Sequence, residues 1–314
     1  MKTLVTGGAG FIGTHLVREL LNRGHEVICV DNFTLGHQEN VDCFLDNPKY
    51  KFFKINIEET EKFCDTLANE EIDIVYHLAA NSDIQKGGRM PSVDFNDTFM
   101  TTYSVLELMR RKNIKNLFFS STSAIYGEKE EILTEVLGDL KPISYYGGAK
   151  YASEGFISSY SYMNDFNTVV FRFPNVIGPN LTHGVIYDFV RKLQRNPKEL
   201  EILGDGTQTK PYLYVLDLVE AIVKFTLDFP MNKGVEIYNA GVESATSVTK
   251  IADIICEVLG YTDVEYKYTG GNVGWKGDVP KFQYNLSKIH NAGWTARHTS
   301  DESVRETVKY IKEN

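Results

Sequence analysis

The feature that most constrains the fold is a glycine-rich segment near the start of the chain. Residues 3–5 (TLV) are typical of a buried strand, and residues 6–13 follow them as TGGAGFIG. Apolar residues then recur at helical spacing until Gly24. Glycines at 7, 10 and 13 permit a tight turn, close backbone approach and close helix packing. The N-terminus of such a helix, with its unpaired N–H groups, is where a dinucleotide pyrophosphate binds.

An acidic residue follows the next apolar run. Residues 26–30 (EVICV) predict a second strand, and Asp31 comes after them, near the roughly 20-residue offset of an acid that binds ribose hydroxyls. A carboxylate there would repel a ribose 2′-phosphate, and residues 32–37 contain no arginine to neutralise one. The segment therefore predicts NAD rather than NADP. The alternative interpretation of Asp31 is a solvated loop residue.

Composition excludes several classes of partner. The 314 residues are 42% hydrophobic, which is enough for one large or two modest domains, and the net charge is −9. An acidic chain lacks the basic face that nucleic acid or an anionic membrane requires. No apolar run approaches the ~18 residues of a membrane span, and Met1 leads almost directly into the first strand, so we expect a cytoplasmic protein without a signal peptide. The four scattered cysteines and the histidine spacing predict neither a disulfide nor a metal site.

Strand and helix patterns alternate through the first half of the chain. Such alternation indicates a parallel sheet covered on both faces, so the predicted fold class is α/β with a doubly wound parallel sheet. Beyond residue 175 the pattern loosens into predicted loops and short elements. The predicted strands are residues 51–57, 72–78, 116–121 and 168–173, and the predicted helices are residues 59–69, residues 93–111 and one that begins near Tyr146.

A tyrosine and a lysine four residues apart lie on one face of a helix, where an ammonium favours the phenolate and lowers the pKa of the tyrosine. The chain contains this spacing three times, with tyrosines at 50, 146 and 284. The first pair lies in a strand-like stretch and the third in the loosely patterned region. Only Tyr146 and Lys150 begin a helix after a hydroxyl-rich strand end, residues 120–127 (SSTSAIYG). The carboxyl end of a strand is where a doubly wound sheet presents its ligands.

Together these motifs resemble the extended short-chain dehydrogenase/reductase superfamily, and more narrowly its nucleotide-sugar epimerases and dehydratases of the UDP-glucose 4-epimerase type. The resemblance runs from Lys2 to about Trp294. It implies a Rossmann domain with a tightly held NAD and a smaller α/β substrate-binding domain. Besides the glycine segment, Asp31 and Tyr-x-x-x-Lys, the motifs are residues 77–80 (HLAA), 120–127, 172–179 (RFPNVIGP) and 204–209 (GDGTQT).

The resemblance also implies roles for individual residues. Tyr146 becomes the base, Thr122 the hydrogen-bond partner of the sugar hydroxyl that is oxidised, and Lys150 the residue that holds the nicotinamide ribose. Asn175 is the implied contact of the sugar-nucleotide diphosphate, and the further candidate substrate contacts are Lys210, Tyr212, Trp275 and Asp278. For Tyr212 and Trp275 the alternative interpretation is a packing role. The implied cofactor-binding residues are Gly7, Gly10, Phe11, Ile12, Gly13, Asp31, Asn32, Asn56, Ile57, Leu78, Ala79, Ala80, Tyr146 and Lys150.

Departures from the family pattern reduce the number of reactions that this chain is expected to catalyse. Family dehydratases and decarboxylases carry acids directly after the position of Thr122, where this chain has Ser123 and Ala124. This favours reversible oxidation with hydride return, which is 4-epimerase chemistry. Lys210 and Trp275 stand where the family has arginines, and a lysine supplies charge without the planar fork that binds phosphate. Either Lys210, Lys276 and Asn175 hold the nucleotide, or the protein recognises a different group on the substrate.

Two other functions remain open at this point. A net nucleotide-sugar dehydrogenase or reductase would use the same residues but exchange its cofactor at each turnover, and a noncatalytic NAD-binding protein would not need the tyrosine or the lysine. The family also implies a homodimer in which the helices at 93–111 and after Tyr146 pair. The predicted NAD-binding domain is 1–174 with a returning segment at about 208–242, and the predicted substrate-binding domain is about 175–207 with 243–314.

Overall fold

The protein is described by a computed structural model that covers residues 1–271, 277 and 279–314. The strands are β1 (Lys2–Thr6), β2 (Glu26–Asp31), β3 (Tyr50–Lys54), β4 (Ile74–His77), β5 (Asn116–Thr122), β6 (Asn167–Phe173), β7 (Asn175–Ile177), β8 (Glu199–Ile202), β9 (Thr209–Lys210), β10 (Tyr212–Tyr214), β11 (Gly234–Asn239), β12 (Thr246–Ser247) and β13 (Glu265–Tyr268). The helices are α1 (Phe11–Asn22), α2 (Glu39–Asp42), α3 (Thr60–Thr66), α4 (Ile84–Arg89), α5 (Pro91–Asp94), α6 (Thr101–Lys112), α7 (Tyr145–Asn164), α8 (Val185–Arg195), α9 (Val215–Val223), α10 (Val248–Leu259), α11 (Ser287–Asn291) and α12 (Ser300–Glu313).

The central element is a seven-stranded sheet in the order β11-β6-β5-β4-β1-β2-β3. From β3 across to β5 the neighbouring strands pair in parallel. Six of the strands follow the 3-2-1-4-5-6 order of a doubly wound nucleotide-binding fold. The predicted fold class is therefore confirmed. Because both faces of such a sheet are covered, its central strands are mostly buried, as in β1, where Leu4 and Val5 are fully buried.

The chain divides into two compact units. The first comprises Met1–Gly127, Leu140–Arg172 and Val219–Tyr238, and the second comprises Glu128–Asp139, Phe173–Leu218 and Asn239–Asn314. Each unit has its own core, which in the first includes Phe63, Phe119 and Phe166. The predicted domains, which assign ligand roles to slightly different ranges, stay a prediction.

The second unit contains more regular helical structure than its sequence predicted. Its core contains residues of α8, α10 and α12, and the last of these helices has 14 residues. A capping box begins it, since Thr299 accepts from the Glu302 N–H while the Glu302 carboxylate accepts from the Thr299 N–H. The prediction of loops and short elements beyond residue 175 is wrong there, because glycine and proline turns obscured the helical periodicity between them.

The helix predicted at 93–111 is present as one continuous helical stretch, Pro91 to Lys112, which contains a π-helical segment between α5 and α6. Met90 leaves the helical region with φ −135° and ψ 84°, Pro91 begins a new helix, and Phe95–Met100 is a π-helical segment. Two threonine hydroxyls bond back to the carbonyl of Thr98, which bends a helix and alters its hydrogen-bond ladder. Among the described residues, no helix is long and apolar enough to cross a membrane.

Candidate active site

The glycine-rich turn between β1 and α1 is shaped by its own packing. Gly7 has φ +71°, and a Cβ there would lie 2.7 Å from the backbone nitrogen of Ala79. A Cβ on Gly13 would lie 2.2 Å from the Gly7 carbonyl oxygen. At Gly10 the Cβ would meet only that same oxygen, at 3.2 Å, so the other side of Gly10 is open. The N-cap residue of α1 is Gly10, which has no side chain to cap the helix, so the first N–H groups suit an anion.

Asp31 lies at the carboxyl end of β2 with 7% exposure. One carboxylate oxygen accepts from the Ala9 N–H at 3.1 Å, and the other from the Phe33 N–H at 2.8 Å. Burial raises the pKa of Asp31, and these backbone hydrogen bonds oppose that rise. An ionised carboxylate offers about four lone-pair positions, so two backbone donors leave capacity for ribose hydroxyls. Gly36 packs against this carboxylate, since a Cβ there would lie 2.8 Å from Oδ1.

The remaining predicted cofactor contacts follow the strands of the same edge. Asn32 follows β2, Asn56 and Ile57 follow β3, and residues 78–80 follow β4 directly. Since these strands are parallel, their carboxyl ends lie at one edge of the sheet with the glycine turn. The uncapped helix, the open side of Gly10 and the carboxylate of Asp31 fit a dinucleotide, and their individual roles stay predictions.

Tyr146 and Lys150 lie in the first two turns of α7, on one face. Ser144 caps this helix by accepting from the Gly147 N–H at 3.1 Å. Lys150 is 2% exposed, and its Nζ donates to the Ser120 carbonyl at 2.6 Å. The hydroxyl of Tyr146 is hydrogen-bonded to Thr122. The structure thus brings together the three predicted catalytic residues at the carboxyl end of β5.

The pKa values of Tyr146 and Lys150 differ from the prediction that the lysine lowers the pKa of the tyrosine. Loss of hydration raises the pKa of Tyr146 to about 12, and the charge of Asp94 adds to the rise, while the hydrogen bond from Thr122 opposes it. Burial lowers the pKa of Lys150 to about 7, and Glu154 opposes that fall. The expected lowering of the tyrosine pKa is wrong for the protein alone. The reason is that Tyr146 itself loses hydration, while Lys150 directs its Nζ at the Ser120 carbonyl.

The two other tyrosine–lysine pairs are not helical neighbours. Tyr50 and Lys54 both lie in β3, which confirms the strand-like interpretation. Tyr284 precedes α11, whereas Lys288 lies within it. Only the Tyr146 pair has the one-turn geometry that the spacing requires.

A buried ion pair without a predicted role adjoins the candidate active site. Glu154, one turn beyond Lys150, bonds Arg172 of β6 through both carboxylate oxygens, at 3.0 and 2.6 Å. Their side chains are only 6% and 5% exposed. The signal that points to Glu154 is its spacing, because positions 146, 150 and 154 share one helix face.

The predicted substrate contacts that the structure describes lie in the second unit. Asn175 begins β7, is exposed, and stands in register opposite Tyr212 of β10, which is 4% exposed. Lys210 ends β9 and pairs with Thr246. Trp275 and Asp278, like Lys276, lie outside the described residues. Among the described residues, no group of three or more histidine, cysteine or acidic side chains is arranged to hold a metal ion.

Comparison with known proteins agrees with this geometry. Residues 3–241 match the family model of the NAD dependent epimerase/dehydratase family. A putative UDP-glucose 4-epimerase of Methanocaldococcus jannaschii is 32% identical over 99% of this chain and 98% of its own. The solved UDP-glucose 4-epimerase of Thermotoga maritima with UDP-glucose is 32% identical with a TM-score of 0.89, covering 100% of this chain and 99% of that one. The Thermus thermophilus UDP-glucose 4-epimerase in complex with NAD is 29% identical with a TM-score of 0.87, covering 99% of both chains. The chain belongs to the NAD dependent epimerase/dehydratase family.

Proposed function

We propose that this protein is an NAD-dependent nucleotide-sugar 4-epimerase. It oxidises the C4 hydroxyl of the sugar to a ketone and reduces that ketone from the opposite face, so that no cofactor is consumed. The observation that carries the proposal is the convergence of Thr122, Tyr146 and Lys150 at the carboxyl end of β5 in a chain similar throughout to UDP-glucose 4-epimerases.

The residues that would hold NAD are those of the glycine turn and the adjoining strand ends. The α1 N-terminus near Gly10 suits the pyrophosphate, and Asp31 suits the adenosine ribose. Lys150 has the nicotinamide ribose as its proposed partner. The chemistry that bound NAD supplies is the reversible two-electron oxidation of an alcohol to a ketone.

Tyr146, assisted by Thr122, accepts and returns the proton of the sugar hydroxyl. The Tyr146 oxygen, held by its hydrogen bond to Thr122, accepts the C4 hydroxyl proton during oxidation and returns it during reduction. A neutral tyrosine with a pKa of about 12 is a poor base near pH 7, so added positive charge must favour the phenolate in the loaded enzyme. Lys150, when protonated, supplies part of that charge one helical turn away.

The residues after Thr122 favour epimerisation over the dehydration that other members of this family catalyse. Elimination of water needs an acid and a base beside the sugar, in addition to the tyrosine. Ser123 and Ala124 occupy the short 3₁₀ turn there, and neither side chain carries a carboxylate. A net dehydrogenase uses the same catalytic residues, and the test below separates it from an epimerase by its need for added cofactor.

Recognition of the nucleotide handle is assigned to residues of the second unit. Asn175, Lys210 and Tyr212 are the proposed contacts to the sugar nucleotide, together with Trp275 and Asp278. The support is their match in position to the family motifs. Lys210 offers a charge to a diphosphate, without the bidentate geometry of an arginine.

The wider setting is part of the same proposal. The NAD-binding domain is proposed as 1–174 with about 208–242, and the substrate-binding domain as about 175–207 with 243–314. A homodimer and a role in carbohydrate biosynthesis are what the family resemblance implies, and a cytoplasmic location is proposed with them. Exposed apolar side chains on α7, Phe156 and Met163 among them, support the proposed pairing of this helix with a second copy.

A panel of nucleotide sugars incubated without added NAD tests the function. The purified enzyme is denatured to identify any released dinucleotide, and each sugar is followed by NMR for inversion at C4. We expect bound NAD and conversion of a UDP-sugar without added cofactor, and loss of conversion in Tyr146→Phe. Conversion that proceeds only with stoichiometric added NAD would support the dehydrogenase instead.

A further inference from the structure

Three consecutive residues at the end of β5 each contact a different turn of α7. Ser120 uses its main-chain carbonyl, Ser121 and Thr122 use their side chains, and the contacts span two turns of the helix. They are Ser120 with Lys150, Ser121 with Glu154, and Thr122 with Tyr146. Two of these contacts belong to the proposed catalytic residues. The contact of Glu154 has no assigned role, although it completes the register between helix and strand.

Glu154 is held on its other side by β6. Its two carboxylate oxygens accept from Nε and Nη2 of Arg172 at 3.0 and 2.6 Å. The third guanidinium nitrogen of Arg172, Nη1, donates to the Tyr126 hydroxyl at 3.0 Å, and the guanidinium carbon lies 5.1 Å from the centre of that ring. Such a bidentate pair has a fixed geometry, and because it is buried, removing either partner leaves an uncompensated charge.

Glu154 is also the anion nearest in sequence to Lys150 on this helix face. The charge of Lys150 interacts with Glu154 of α7 and with His77 of β4. Tyr146 lies one helical turn before Lys150, and Arg172 of β6 is paired with Glu154. Burial holds the pKa of His77 well below its ordinary value, so His77 is neutral near pH 7. Glu154 therefore opposes the burial that deprotonates Lys150.

We propose that Glu154 is a positioning residue for the epimerase reaction, fixing α7 against β5 and β6 through Ser121 and Arg172 and keeping the Lys150 ammonium charged beside Tyr146. The proposal rests on the proposed function only for its kinetic readout. Its structural part predicts the pKa of Lys150, and that pKa can be measured without cofactor or substrate.

The test is the titration of Lys150 in the full chain carrying Glu154→Gln. Lysine labelled with ¹³C reports the charge of each side chain by NMR, and the Lys150 signal is assigned by its absence in Lys150→Met. A unit charge about 6 Å away at an effective dielectric constant of about 20 shifts a pKa by up to ~2 units. We expect the titration midpoint of Lys150 to fall by at least about one unit.

The pH dependence of kcat should shift in the same direction as the titration midpoint of Lys150. A group that must be protonated loses its contribution as the pH rises through its pKa, so a lower pKa for Lys150 moves the alkaline fall of kcat to lower pH. We expect that limb to shift downwards in Glu154→Gln with little change in KM for the nucleotide sugar. Glu154→Asp retains the charge and should restore most of the wild-type profile.

Glu107→Gln is the matched control. Glu107 is also buried, accepts two hydrogen bonds from Arg110 at 2.9 and 2.8 Å, and accepts one from Tyr160 of α7 at 2.8 Å. Its removal disturbs the same helix but leaves Glu154 intact. The Lys150 midpoint should therefore stay at its wild-type value in this variant.

The double variant Glu154→Gln with Arg172→Met removes both charges and answers the question if the single variant does not fold, because replacing a whole buried pair is tolerated better than breaking it. Because Arg172→Met also removes a cation, the double variant is compared with Arg172→Met alone, and a lower Lys150 midpoint in the double variant supports the proposal. An unchanged midpoint in both comparisons, Glu154→Gln against wild type and the double variant against Arg172→Met, overturns it, as does an equal shift in Glu107→Gln. A wild type that epimerises no sugar while Lys150 shifts as expected would refute the proposed function instead.

Discussion

Substituting Gly13 with alanine tests the idea that internal packing of the glycine turn presents the α1 N-terminus to the cofactor. The new Cβ would lie 2.2 Å from the Gly7 carbonyl oxygen and 2.7 Å from the Gly8 Cα. Both neighbours are backbone atoms, so relief requires the turn or the helix to move. The N–H groups near Gly10 would move with it.

The change in the free energy of unfolding caused by Gly13→Ala is the sum of two opposed effects. Overpacking a tight site costs about 1–3 kcal/mol, and a backbone clash this close belongs at the upper end of that range. Replacing glycine by alanine within a helix returns about 1 kcal/mol. The net loss in the free energy of unfolding is about 2 kcal/mol, which for a chain of this length corresponds to a fall in Tm of roughly 3 °C. Displaced pyrophosphate donors should weaken NAD by at least about tenfold, or about 1.4 kcal/mol.

Thermal unfolding of the apoprotein and calorimetric titration with NAD measure the two effects. Gly88→Ala is the control, because Gly88 lies within α4 and a Cβ there meets nothing within 4 Å. We expect this control to keep both the wild-type NAD affinity and at least the wild-type Tm. If Gly13→Ala binds NAD as tightly as the control does, the packing argument for the turn is refuted.

Three further substitutions test the cofactor, the base and the substrate handle. Asp31→Ala should weaken NAD by about 1.5–3 kcal/mol, the range for a charged hydrogen bond, as measured by titrating apoprotein, and equal wild-type affinity for NADP would contradict the assignment. Tyr146→Phe should retain NAD while turnover falls by about 10²–10⁴-fold, whereas Tyr284→Phe should be nearly silent, and similar kinetics of the two would contradict the role of the helical pair. Lys210→Ala should raise KM for a UDP-sugar with kcat little changed, and a wild type that ignores UDP-sugars would show that the handle differs.

The first half of the fold was predictable because its signals are local. The apolar run of β1, the glycine turn and Asp31 occur in the order that a doubly wound sheet requires, and each lies where the sequence placed it. The helical pairing of Tyr146 with Lys150 was also predictable from spacing and from the preceding strand end. These features depend on short-range geometry, which a single sequence records directly.

What escaped prediction depends on contacts between distant residues. Lys150 faces the Ser120 carbonyl in a buried site, so its charge is governed by desolvation and Glu154, which spacing to Tyr146 does not reveal. The partner of Glu154, Arg172, lies on a different strand. The capped helix α12 was missed because the capping signal at Thr299 stands beside loop-like sequence.

The central claim is that one bound NAD removes and returns the same hydrogen at C4 of a nucleotide sugar. The most direct measurement uses a UDP-sugar deuterated at C4, the enzyme as purified and no added cofactor, with NMR following the label. We expect epimerisation to equilibrium, with deuterium retained at C4 of both epimers and one NAD released per chain on denaturation. Loss of deuterium to solvent, or turnover only when NAD is added, would contradict it.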